Sequence, residues 1–261
     1  MSADLEREEA PIRVERSEGI VLVTLNRPAK KNAMTRSMWR LLRNIIEEIG
    51  GLAADRVLIL TGAGTDFCAG GDLSEWSSDT ESSPEEQIEA LRAIQSTALA
   101  LHDCPKPSIA AINGVAAGGG FTLALGCDLT VAAEEARLGA VFIQRGLVPD
   151  LGGHWILPRL IGLHRAKEVA LFGELYTASQ AAALGLINRV VPREEVLSTA
   201  RELARRLVGL SAASLAAIKL GLSSSFESTM AETLETEALA QYRAATSLDF
   251  AETSRRFLRQ K

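Results

Sequence analysis

Two glycine-rich stretches, each placed directly behind a short apolar run, are the parts of this sequence best suited to chemistry: Gly62 to Asp72 (GAGTDFCAGGD) and Asn113 to Gly120 (NGVAAGGG). Turns of this kind at the ends of buried strands leave backbone N–H groups free to point outward, and such groups bind negative charge. Glycine admits the close approach of a ligand and tolerates positive φ. The same glycines would also serve tight turns and close helix packing, so the pattern has two readings. A carboxylate, Asp150, stands in a third short run, Gly146 to Gly153 (GLVPDLGG). Because Asp is a favoured N-cap, it also reads as the start of a helix over 152–160.

Other chemistries find less support. The TGAG at 61–64 has the flavour of a dinucleotide loop, but it runs on into Thr65, Asp66, Phe67 and Cys68 with no helix opening there to meet a pyrophosphate. Neither a G-K-[ST] phosphate loop nor a G-x-S-x-G elbow occurs. The three histidines, His102, His154 and His164, match no metal-binding spacing. Three cysteines, Cys68, Cys104 and Cys127, form no C-x-x-C pair, which argues against a disulfide framework or zinc site and fits a cytoplasmic setting. Cys68 reads as packing rather than as a nucleophile. A net charge of −5 argues against nucleic-acid binding, although a local basic spot could still meet the phosphates of a small ligand. The charged N-terminus reads neither as a secretory signal nor as a membrane anchor, and residues 1–11 are expected to be a flexible tail.

The elements that must position these loops follow from periodicity. Ile20 to Leu25 predicts a strand leaving through Asn26, Arg27 and Pro28. After an N-cap at Thr35, apolar residues Met38, Leu41, Leu42, Ile45, Ile46 and Ile49 recur at helical spacing until Gly50 and Gly51. Val57 to Leu60 and Ser108 to Ile112 read as buried strands that empty into the two glycine loops, and Phe121 to Gly126 reads as helical before a strand near Leu129 to Ala133. The Ser-rich run 74–83 predicts a mobile flap, and Ser83 followed by Pro84 predicts a helix ending by Asp103. Beyond Asp150 the pattern turns helical, over 153–161, 164–172, 178–184, 193–208, 211–224 and 227–248, with a brief strand at 187–191. With 261 residues, 47% of them hydrophobic, the chain can bury one sizeable core plus an appendage. The expected class is α/β with a helical C-terminal region: a core over 12–192 and a helical subdomain over 193–261.

Specific motifs add to this. LNRP at 25–28 with Asn32 and Ala33, FCAGGDL at 67–73, AINGVAAGGG at 111–120 with Cys127 and Asp128, GLVPDLGG at 146–153, LPRLIG at 157–162 and AAALGLINRVV at 181–191 together resemble the crotonase superfamily of enoyl-CoA hydratases and isomerases. The resemblance implies a spiral of ββα units and a C-terminal helical region that builds homotrimers or hexamers (dimers of trimers). It also implies acyl-CoA substrates handled without a resident metal or redox cofactor, coenzyme A arriving as part of the substrate. No nucleic-acid or membrane partner is expected.

Carried over position by position, the N–H groups of Gly71 and Gly119 would form an oxyanion hole for the thioester oxygen. The loop around Ala69, with Gly70, Asp72 and Leu73, would hold the pantetheine arm, and Asp72 would order that loop. The stretch from Arg27 to Ala33 would lie by the nucleotide, where Arg27, Lys30 and Lys31 would meet phosphates or remain solvated. Trp76, Thr122 and Phe142 would wall the acyl pocket. Lys219 would reach a CoA phosphate or lie on the surface, His154 would face solvent, and Phe250 and Phe257 would contact a neighbouring subunit's CoA. Family hydratases use two glutamates, and the matching positions here are Thr122 and Phe142, neither of which moves a proton as a carboxylate does. Asp150 instead matches the catalytic aspartate of dienoyl-CoA isomerases and of the ring-opening 1,2-epoxyphenylacetyl-CoA isomerase type, the closer of the two in motif. The expected activity is therefore a double-bond shift with Asp150 as proton shuttle, its pKa raised by Val148, Pro149 and Leu151. A hydratase with an altered catalytic set and a silent acyl-CoA-binding protein are the alternatives.

Overall fold

The computed structural model of the chain describes residues 10–77 and 82–258. Most of the expected N-terminal tail, and 78–81 of the expected flap, lie outside the described residues, as do the side chains of Trp76 and Phe257.

A six-stranded sheet forms the centre. It is built from β1 (Ile12–Ser17), β2 (Ile20–Leu25), β3 (Val57–Gly62), β4 (Ser108–Ile112), β6 (Leu129–Ala133) and β9 (Arg189–Val191), side by side in that order. Only β1 with β2 is antiparallel; the remaining pairs are parallel. Every residue of β2, β3 and β4 is buried, which explains their unbroken apolar runs: a parallel strand covered on both faces has no solvent side to alternate toward. A smaller sheet joins β5 (Ala116–Ala117), β7 (Arg137–Gly139) and β8 (Tyr176–Thr177). Its strands have two or three residues each, too few to show a period in sequence.

Ten helices lie among the described residues: α1 (Arg36–Gly51), α2 (Leu73–Ser77), α3 (Pro84–Asp103), α4 (Gly119–Leu125), α5 (Gly153–Phe172), α6 (Ala178–Leu184), α7 (Val196–Val208), α8 (Ala212–Ser224), α9 (Met230–Ala245) and α10 (Leu248–Leu258). Their starts follow local rules. The Thr35 hydroxyl accepts the Met38 N–H, and Ser83 and Glu86 form a reciprocal capping box. The two helices expected over 153–161 and 164–172 are both present within α5, separated at Gly162, whose φ of 74° and ψ of 160° interrupt the ladder. Helix α2 occupies the first part of the segment read as a flap, and the terminal helix α10 went unread. On α1, Leu41 is exposed and Trp39 is buried in its place, its ring set beside Gly119 while its backbone carbonyl accepts the Thr97 hydroxyl.

Helix α7 packs across β2, β3, β4 and β6 and buries Ala200, Leu203 and Ala204. The boundary drawn at 193 therefore falls before a helix that belongs to the core layers, and the helices without buried residues begin at α8. Helix α8 is tied down by Lys219. Its ammonium lies 2.9 Å from the Asp128 carboxylate and donates to the carbonyls of Leu101 and Lys106 near the end of α3. Its side chain is 7% exposed, so this lysine is spent within the fold rather than facing a ligand. No single helix among the described residues is long and apolar enough to cross a membrane.

Candidate active site

The register of the parallel strands brings the loops together. Leu25 pairs with Gly62, and Thr61 with Ala111, so the chain leaves β2, β3 and β4 at one end of the sheet. Side-chain hydrogen bonds bind the three exits to each other. Asn32, fully buried, donates to the carbonyls of Ala63 and Asp66 and accepts the Arg27 N–H. Asn113 donates to Gly62 and Gly64, and Asp66 accepts the Val115 N–H. Four glycines are dictated by this crowding. A Cβ on Gly62, Gly114, Gly120 or Gly139 would fall within 2.3 Å of a neighbouring carbonyl oxygen, closer than any real contact.

The two glycine loops then pair edge to edge. Cys68 bridges Ala116, and Met34 bridges Gly71, both in parallel fashion. In the second bridge the Met34 N–H goes to the Gly70 carbonyl at 2.8 Å and the Asp72 N–H to the Met34 carbonyl at 2.9 Å. These bonds use the groups on either side of Gly71, so its own N–H points the other way. Gly119 is the first residue of α4, where an N–H has no partner within the helix. Among the described residues neither N–H finds a hydrogen-bond acceptor. Gly70, with φ of 99°, lies directly against Gly119: a Cβ there would come 3.2 Å from the Gly119 nitrogen.

Gly71 and Gly119 open into a cavity of about 300 Å³ walled by apolar residues including Trp39, Ile94, Val141 and Phe142, together with Ala69, Gly70, Leu73 and Asp150. Asp150 reaches it from the turn before α5. The turn is held by two left-handed residues, Leu151 at φ 48° and Gly152 at φ 80°, a conformation a branched side chain adopts only under constraint. Gly152 caps α5 without a side-chain bond, and the Asp150 contribution is its backbone carbonyl, which accepts the Gly153 N–H. The carboxylate is thus not a helix cap. Its Oδ1 is buried with no partner and lies 3.8 Å from where a Gly119 Cβ would be. Burial pushes its pKa up to about 6.

The other expected site residues fall into two groups. Thr122 is buried and bonds back to the carbonyls of Gly118 and Gly119, facing a neighbouring cleft; Phe142 lines the cavity itself. Arg27 donates to Asp72 at 2.9 Å and to the Ala33 carbonyl at 2.7 Å, tying the exit of β2 to the glycine loop at 62–72. Asp72 also accepts from Ser74, and these contacts hold its pKa below the ordinary value, the Ser74 hydroxyl first and Arg27 next. Lys31 is exposed, 3.9 Å from Asp66, and Lys30 is exposed beside it. The Cys68 thiol is buried and pushed up to about 12, which leaves it unreactive. His154 and Phe250 are exposed. Sequence reading missed Asn32 as the organiser of the loops and missed Glu75, a second carboxylate on the cavity wall that accepts the Arg36 N–H at the start of α1. Asn32 has a local signal, a positive φ that Asn tolerates; Glu75 has none.

Comparison with known proteins shows the family. Residues 15–261 match the family model described as enoyl-CoA hydratase/isomerase. The chain is 38% identical over 242 residues to 1,2-epoxyphenylacetyl-CoA isomerase from Escherichia coli strain K12, covering 92% of each chain. It is 36% identical to a protein named probable enoyl-CoA hydratase from Rhodobacter capsulatus, over 96% of this chain and 95% of that one. Among solved structures, an enoyl-CoA hydratase from Bacillus anthracis superposes with a TM-score of 0.91 at 33% identity and 97% coverage of both chains.

Proposed function

Because the chain belongs to the enoyl-CoA hydratase/isomerase family, we propose that it moves a carbon–carbon double bond in an acyl-CoA thioester, with Asp150 as the group that takes and returns the proton. The observation that carries this reading is the carboxylate itself: buried, with its Oδ1 unpartnered, and facing the same cavity as the two free N–H groups. Proton removal beside a thioester carbonyl places negative charge on its oxygen. The N–H groups of Gly71 and Gly119, fixed before the reaction, stabilise that charge without reorganising. Coenzyme A enters with the substrate, its pantetheine passing by Ala69 and Gly70, and the chemistry calls on no resident metal or redox cofactor. Water addition by paired carboxylates is disfavoured by the hydroxyl of Thr122 and the phenyl ring of Phe142, which carry no carboxylate. Relatives bear both isomerase and hydratase names, so the decisive experiment incubates the protein with a 3-enoyl-CoA and, separately, a 2-enoyl-CoA, following conjugated-thioester absorbance and product mass. Double-bond migration supports the isomerase; formation of 3-hydroxyacyl-CoA restores the hydratase.

The base must be ionised to act. Since the Asp150 carboxyl is raised to about 6, kcat/KM is expected to rise with pH along a limb centred near that value and to level off above it. A profile flat from pH 5 to pH 8 on the order-of-magnitude scale expected for a titrating base would remove Asp150 from that role.

We also propose a homo-oligomer, trimeric or hexameric. Beyond α7 the chain exposes Ile218, Leu222, Phe226, Met230, Leu234, Leu239 and Tyr242, each more than half accessible, a density of apolar surface typical of an unfilled interface. Light scattering should give a mass of three or six chains, and a monomeric mass would refute the assembly.

A further inference from the structure

Asp150 borders two cavities. Besides the front cavity described above, it walls a second space of about 720 Å³ behind it, between α3, α4, α5 and α8. Gln95, Asp150 and Leu151 are common to both linings. The front carries Arg36, Glu75 and Arg145 at its wall, and the back carries His102, Asp128, His154, Arg159 and Glu227. At a liquid-water share of about 30 Å³ per molecule, the back has room for on the order of twenty waters among groups able to bond them. An acyl-CoA with its thioester on Gly71 and Gly119 fills the front and cuts the carboxylate off from solvent on that side. Among the described residues no other residue hydrogen-bonds the Asp150 carboxylate, and its buried Oδ1 is left without a partner to hold an acquired proton.

We propose that the back cavity is a water-filled exchange site through which Asp150 trades its proton with solvent while the acyl-CoA occupies the front. The inference rests on the isomerase reading. In the first half-reaction the C–H bond next to the thioester breaks, its proton passes to Asp150, and its electron pair becomes a dienolate held by Gly71 and Gly119. The carboxylic proton then exchanges with water behind it. A solvent-derived proton is delivered to the far carbon of the dienolate, forming the new C–H bond as the double bond settles beside the carbonyl. The proton removed is therefore not the proton returned.

The test is a single turnover of a 3-enoyl-CoA in deuterated water, enzyme in excess, quenched and read by product mass. If exchange outpaces return by about 1.4 kcal/mol of barrier, labelled product exceeds unlabelled roughly tenfold. Two plugs from opposite walls, Ala98→Phe on α3 and Ser223→Phe on α8, line the back cavity but not the front. Each should lower the labelled-to-unlabelled ratio about tenfold while kcat stays within about twofold. If one plug fails to fold, the other carries the comparison. Unlabelled product from the unmodified protein overturns the proposal, as does a label that a folded plug leaves unchanged. Absence of any double-bond migration in the unmodified protein instead refutes the isomerase reading.

Discussion

Asp150→Asn is expected to abolish nearly all double-bond migration, lowering kcat by about 10³-fold, within the range of about 10² to 10⁴ that a positioned acid–base group supplies. The amide has the same shape and keeps the turn, because the turn is held by the Asp150 carbonyl accepting the Gly153 N–H and not by the carboxylate. Binding should survive. A non-isomerisable saturated acyl-CoA would bind the variant with its affinity changed by less than about tenfold, since the N–H groups of Gly71 and Gly119 are untouched.

Stability provides a second readout with a definite sign. The folded-state pKa of about 6 lies above the ordinary 3.8, so the protonated form favours the fold. That contribution is complete below the ordinary value and is lost as pH rises through 6, where the fold must hold an ionised carboxylate without a partner. Asparagine carries no charge to desolvate. The variant should thus be more stable than the parent at pH 8, by about 1–2 kcal/mol, and near parity at pH 4, measured by chemical denaturation. An Asp150→Asn protein with full double-bond migration would remove Asp150 as the proton shuttle. One less stable at pH 8 would mean that the carboxylate has a favourable partner in solution.

Gly119→Val is the second large effect. A Cβ at this position would meet Leu151 Cδ1 at 3.2 Å, Trp39 Cζ2 at 3.5 Å and Asp150 Oδ1 at 3.8 Å, so the two methyl groups must enter the space the thioester needs. Losing one oxyanion donor costs about 10²- to 10³-fold in kcat, and valine also separates the donor from the carboxylate. The expected result is a fall in kcat/KM of at least about 10³-fold. The fold should persist with a penalty of about 1–2 kcal/mol, because the clashing atoms belong to side chains that can shift. Gly120→Ala is the instructive contrast: its Cβ would lie 2.2 Å from the Cys68 carbonyl oxygen, a backbone atom, and this variant should fail to fold. Retained activity in a folded Gly119→Val protein, shown by circular dichroism and turnover together, would exclude the Gly119 N–H from the mechanism.

The sequence by itself determined the parts that local physics governs. The short apolar runs of β2, β3 and β4 read as buried strands, the caps at Thr35 and Ser83 bind N–H groups three residues away, and the glycine loops behind the strands had to lie at the strands' C-terminal ends. It also marked Gly71, Gly119 and Asp150 through their motifs, and the resemblance supplied their roles. Tertiary structure decided which glycine does what. Gly119 and Gly120 are adjacent and alike in sequence, yet one faces a cavity and the other a carbonyl oxygen, a difference created by the loop at 62–72 packing from about fifty residues away in the chain. It decided that Arg27 and Lys219 spend their charge on Asp72 and Asp128, because a cation finds its partner through chain folding and not through spacing. It also decided that Asp150 is no helix cap. The left-handed pair Leu151 and Gly152 turns the carboxylate away from α5 and sets it between two cavities, and that strain is maintained only by the packing of the completed fold.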